Sequence, residues 1–147
     1  MIFLDSNVFL RFLTYSDSVP KIDQLRGELA ERLFRSIERG EIEATTSEVV
    51  LHEVIFVLTS PRQYGWEVSE AVPRVRYLLN LRGMRFSSEN LNSYNLAMDL
   101  LVRKPVLEFA DAVIAIRAME GGHTLATFDS HFKNVDLLST WDLASLN

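Results

Sequence analysis

The chain has no cysteine, which excludes a disulfide framework, a thiolate-ligated zinc site and a thiol nucleophile. Proline and glycine are scarce, at four and six residues, so the chain is neither collagenous nor a flexible low-complexity segment. No apolar run approaches the ~18 residues of a membrane-spanning helix, and no membrane association is expected. A basic excess is missing too: 15 Lys and Arg stand against 20 Asp and Glu, for a net charge of −5. Charge alone therefore advertises no nucleic-acid partner, although an acidic cluster that binds cations would account for much of the excess. What remains is ordinary globular material: 147 residues, 48% hydrophobic, with no internal repeat and no linker. That length suits one domain, residues 1–147, with a core of its own. The amino terminus reaches Asp5 without a basic leader, so a cytoplasmic protein is expected.

Short apolar runs alternate with helical periodicity. Met1–Leu4 reads as a buried strand, and Asn7–Leu13 as a brief helix. Pro20 opens a helix to Gly40 with Leu25, Leu29, Leu33 and Ile37 on one stripe. Ile42–Thr45 is a second strand, and either Thr45 with Glu48 or Ser47 alone caps a helix over Glu48–Leu58. Helices over Ser69–Leu81, Leu91–Leu101 and Leu107–Met119 follow, with strands at Met84–Phe86, His123–Phe128 and Val135–Leu138. This alternation predicts an α/β fold: a parallel sheet of four or five strands flanked by helices on both faces. Ligands of such sheets bind beyond the carboxyl ends of the strands.

Four acids sit where a carboxylate is expensive. Asp5 and Asp129 end predicted strands, while Glu53 and Asp111 interrupt helices that are otherwise apolar. Read singly, Asp5 and Asp129 are helix N-caps, and Glu53 and Asp111 are partners of arginines. Read together, they are four carboxylates that a parallel sheet can bring to one rim, where mutual repulsion calls for cations. Oxygen ligands without Cys or His select hard divalent ions, Mg²⁺ or Mn²⁺, and such ions serve phosphoryl chemistry.

At these residues the chain resembles the PIN-domain nucleases, and within them the VapC-like toxins of toxin–antitoxin modules. Leu4-Asp-Ser-Asn-Val-Phe-Leu-Arg resembles the first motif of that family, and Ser47–Leu58 the second, with Glu53 as its acid. Phe109-Ala-Asp-Ala-Val-Ile-Ala resembles the third, and Thr127-Phe-Asp-Ser-His-Phe the fourth. The order of the motifs and the chain length agree across essentially the whole sequence. The resemblance implies that Asp5, Glu53, Asp111 and Asp129 are catalytic metal ligands, with Asn7 and Thr127 orienting the carboxylates. It also implies a Mg²⁺- or Mn²⁺-dependent endoribonuclease, a homodimer, and an antitoxin protein that blocks the site. Glu108 stands where many relatives carry a further Asp, and on a continuing helix it faces the same way as Asp111.

RNA needs cations, and Arg11 is the first candidate contact, with His131 a second one beside Asp129. Tyr64 and Trp66 can either stack on an unpaired base or pack in a core or dimer contact. His52 reads as a buried residue or a dimer contact, and His123 as exposed. Lys104-Pro105 resembles a feature of phosphorelay receivers, but Met84–Ser88 holds no acceptor Asp. A haloacid-dehalogenase-type phosphatase needs an Asp where Asn7 stands. The alternative from another class is a catalytically inactive PIN-like module that binds RNA or protein.

Overall fold

In a computed structural model, which describes residues 1–16 and 20–145, the alternating pattern becomes short strands and six α-helices. The chain divides into two compact units, Met1–Ser87 and Ser88–Asn147.

In the first unit, β1 (Ile2–Phe3) pairs in parallel with β2 (Ala44–Thr45), Ile2 against Ala44 and Phe3 against Thr45. Ile2 N–H donates to the Glu43 carbonyl and Leu4 N–H to that of Thr45, both at 2.9 Å. The expected buried strand over Met1–Leu4 is thus two residues long, and Ile2 and Phe3 are both exposed. Only Leu4, at its end, is buried. Ala44 also meets Met84 in a single parallel bridge, so the strand expected over Met84–Phe86 contracts to one residue.

α1 (Ser6–Leu13) and α2 (Lys21–Glu38) pack together, with Phe9 and Phe12 against Phe34 at ring separations of 5.4 and 4.9 Å. Pro20 stands at the start of α2, as its fixed φ suits. The inward face of α2 is Gly27, Ala30, Phe34 and Ile37, whereas Leu25 and Leu29 are exposed. The predicted stripe is thus corrected at Leu25 and Leu29, while Ile37 is buried as expected and Leu33 is half-buried; on the inward face the Tyr15 ring lies where a Cβ at Gly27 would stand.

α3 (Glu48–Thr59) is capped by Ser47, whose hydroxyl accepts from Val50 N–H, and it packs against α1 and α4 (Val68–Leu79). Those neighbours cover Val50, Leu51, Val54, Ile55 and Leu58. They leave Val49 75% and Phe56 48% exposed, so α3 is apolar on a face that this chain does not bury.

In the second unit, α5 (Ser88–Arg103) and α6 (Phe109–Glu120) form a helical pair around Ala97, Met98, Leu101, Ala112, Val113 and Ile116. Tyr94 meets Phe109 with ring centroids 6.2 Å apart. The α6 helix stops at Gly121. The strand expected over His123–Phe128 is one bridge, Leu125 to Thr140. None forms over Val135–Leu138: Val135 ends a 3₁₀ turn over Ser130–Asn134, and Leu137 takes a left-handed φ of 67° that an extended run does not allow. Among the described residues the sheet therefore holds two paired strands in place of four or five. No described helix is long and apolar enough to cross a membrane.

Candidate functional site

Asp5 follows Leu4 at the end of β1 and is the N-cap of α1. Its backbone is extended, and its Oδ1 accepts from Ser6 N–H at 2.8 Å. The strand end that carries it is fastened from the residue after β2: the Thr46 hydroxyl, 6% exposed, donates to the Leu4 carbonyl at 2.8 Å. Thr46 escaped the sequence reading, and only its position immediately before the Ser47 cap could have drawn notice. Asn7 is exposed in the first turn of α1.

Glu53 lies on the uncovered face of α3, between Val49 and Phe56. It has no hydrogen-bond or ion-pair partner among the described residues, so the arginine partner that a buried glutamate would need is not required. His52 is half-buried, short of one of its expected readings, and stacks on Phe56 with ring centroids 6.2 Å apart.

Asp111 is half-buried at the third position of α6, and its Oδ2 accepts from Glu108 N–H at 3.2 Å. It joins no described Arg or Lys. Glu108 is exposed and has extended backbone at the N-cap. It therefore stands outside the helix, and the expected shared helical face with Asp111 is corrected, because α6 starts at Phe109 rather than Leu107.

Asp129 caps the 3₁₀ turn, accepting from His131 N–H at 2.8 Å, and the His131 Nδ1 is 3.2 Å from the same Oδ1. The Thr127 hydroxyl oxygen accepts from Asp129 N–H at 3.0 Å. Thr127 thus fixes the backbone of Asp129, and Thr127, Asp129 and His131 form one local cluster. It opens on a cavity of about 430 Å³ that also touches Lys133, Trp141 and Asp142.

Arg11, the first candidate for an RNA contact, is ion-paired with Asp23 at 2.9 Å. With Asn7, Arg26 and Leu29 it lines a cavity of about 550 Å³. His123 is exposed, as expected.

Asp5 and Glu53 belong to the first unit, Asp111 and Asp129 to the second. Among the described residues, no three or more His, Asp or Glu side chains form a group able to hold a metal ion. The donor chemistry nevertheless suits a hard cation. Each of the three aspartates commits one carboxylate oxygen to a backbone N–H and leaves the other without a partner among the described residues, and Glu53 leaves both.

A family model of the PIN domain matches residues 2–138. No curated protein matches the chain.

Proposed function

The chain belongs to the PIN domain family, which is generally of nuclease type, and from that premise we propose that it is a Mg²⁺- or Mn²⁺-dependent endoribonuclease. The observation that carries this reading is the set of free carboxylate oxygens on Asp5, Glu53, Asp111 and Asp129, none of which has an Arg or Lys partner among the described residues. We assign these four as the ligands of the divalent ion. When bound, the ion supplies an activated water and charge neutralisation at the scissile phosphate.

The rest of the work belongs to the chain. Thr46 holds the strand end that presents Asp5, and Thr127 holds the backbone of Asp129. The amino ends of α1 and α6 favour negative charge at Asp5 and Asp111. Asn7 orients a carboxylate, and Arg11 and His131 contact RNA phosphate. Residues 1–147 act as one PIN-like domain. The likeness to VapC-like toxins supports the toxin role in a type II toxin–antitoxin pair, with an antitoxin as protein partner. The uncovered Val49 and Phe56 on α3 favour a homodimer.

The test is cleavage of mixed structured RNA with Mg²⁺, Mn²⁺ or EDTA. Cutting is expected with metal and is lost with EDTA. Asp111→Asn is expected to lower it by at least about a hundredfold, since metal-ion catalysis is worth several kcal/mol. The same variant keeps its fold, because an Asn carbonyl still accepts Glu108 N–H, whereas Asp111→Ala costs about 1 kcal/mol in urea unfolding. Wild-type cutting by Asp111→Asn would remove Asp111 from the site. Neither cutting nor metal binding by the folded wild type would leave a PIN-like module that binds RNA or protein without cutting it.

A further inference from the structure

Beyond Thr59 the chain turns through residues 60–67 before α4 begins. The turn is tied by its own backbone: Gln63 N–H and Gly65 N–H both donate to the Ser60 carbonyl, at 3.0 and 2.9 Å. Trp66 N–H returns to the Leu58 carbonyl at 2.8 Å, and Gly65 takes the left-handed φ of 61° that the reversal requires. The side chains of Arg62 and Tyr64 contribute nothing to this scaffold. Both are exposed, Tyr64 by 46%, and neither has a hydrogen bond, ion pair or ring contact among the described residues. Behind them Trp66 is half-buried, with the Arg74 guanidinium 5.0 Å from its ring centroid. Arg74 is itself 3.5 Å from Glu70.

A rigid turn thus presents one free aromatic face and one free guanidinium two residues apart. An unpaired nucleotide fits this pair: its base has a π-face for stacking, and its phosphate suits an arginine. Protein contacts also use Tyr and Arg, but as anchors packed into desolvated pockets at the centre of an interface. Here both side chains stand exposed on a narrow loop whose other members are Ser60, Pro61, Gln63, Gly65, the half-buried Trp66 and Glu67. Its location suits a nuclease as well. Ser60 lies seven residues beyond Glu53, about 10 Å along the α3 axis, or about three stacked nucleotides.

We propose that the 60–67 loop is a stacking platform for unpaired RNA, with Tyr64 taking the face of one base and Arg62 the adjoining phosphate. This rests on the nuclease reading and adds to it a binding surface outside the four acids, with Tyr64 and Arg62 as the residues that hold the unpaired strand. Because Arg74 is paired with Glu70, stacking supplies more of the grip than charge does.

The experiment measures binding apart from cutting. A short fluorescein-labelled oligouridylate is titrated with protein in EDTA, with an RNA duplex as competitor. Tyr64→Ala and Tyr64→Leu are expected to weaken binding by at least about fivefold, and Tyr64→Phe to retain it. Arg62→Ala is expected to flatten the salt dependence by about one phosphate contact, a slope change near ~0.7. Circular dichroism confirms that the exposed substitutions leave the fold intact. Wild-type affinity in Tyr64→Ala, equal binding by Tyr64→Leu and Tyr64→Phe, effective competition by duplex, or no binding by the wild type would each overturn the platform. Cutting by wild type and by Tyr64→Ala alike, with no change in binding, overturns the platform and leaves the nuclease. Binding through Tyr64 by a protein that does not cut with Mn²⁺ overturns the nuclease reading and keeps the platform.

Discussion

On the proposed reading Asp5, Asp111 and Asp129 each have two jobs, a backbone cap and a metal bond, which fall to different oxygens of one carboxylate. One oxygen of each carboxylate caps a turn of backbone, and the other faces away from that duty. A local hydrogen bond to a main-chain N–H fixes the side-chain rotamer, so the free oxygen of each points in a defined direction. Asparagine preserves the first job and weakens the second, which makes it the informative substitution at all three sites. A different pairing governs Tyr77, whose hydroxyl donates to Glu38 Oε1 at 2.7 Å. That hydrogen bond, followed by the charge of Glu38 and some burial, raises the phenol above its ordinary value of 10.0. The folded value lies above the unfolded one, so the stabilisation is complete below the ordinary value and is lost as pH rises through the higher folded value. Phenolate absorbance is expected to lose a late-ionising component when Tyr77 is replaced by Phe. The stability difference between the two proteins is expected to vanish above that second transition.

At the scale of elements, helix ends were legible because their chemistry is local. Pro20 before α2, Ser47 before α3 and Gly121 after α6 each act on backbone groups within a few residues. Strands were not legible in the same way. The runs at Met84–Phe86 and His123–Phe128 have strand composition, yet each contributes a single bridge, because pairing depends on distant backbone coming alongside. The bridge at Met84 depends in turn on a bare backbone at Gly83. There the N–H donates to the Ile37 carbonyl at 2.8 Å and the carbonyl accepts from Ala44 N–H at 2.9 Å. A Cβ at Gly83 would stand 2.2 Å from the Ile42 carbonyl oxygen, which is backbone and cannot swing aside. Gly83→Ala is therefore expected to destabilise the protein by about 1–3 kcal/mol, read as a lower urea midpoint with an unchanged slope.

At the scale of the whole molecule, the excess of acids and the proposed metal are linked. On the proposed reading, a chain of net charge −5 that takes up divalent cations relieves part of its own repulsion, and an ion that binds the folded state alone stabilises that state. Mn²⁺ at a hundredfold excess over its Kd is expected to raise the unfolding free energy by about 2.7 kcal/mol, and EDTA to reverse the gain. The chain carrying Asp5→Asn, Glu53→Gln, Asp111→Asn and Asp129→Asn is expected to show no rise. Calorimetry of metal binding, done beside thermal unfolding, checks both. The α/β class and the positions of the helices were determined by the sequence by itself, since periodicity and caps act over a few residues. Which faces those helices turn inward was decided only in the tertiary structure. The inward stripe of α2 runs through Gly27 and Ala30 rather than Leu25 and Leu29, and α3 leaves Val49, Glu53 and Phe56 uncovered. Burial is set by how closely a neighbouring element approaches, and in α2 the small residues allow the closest approach.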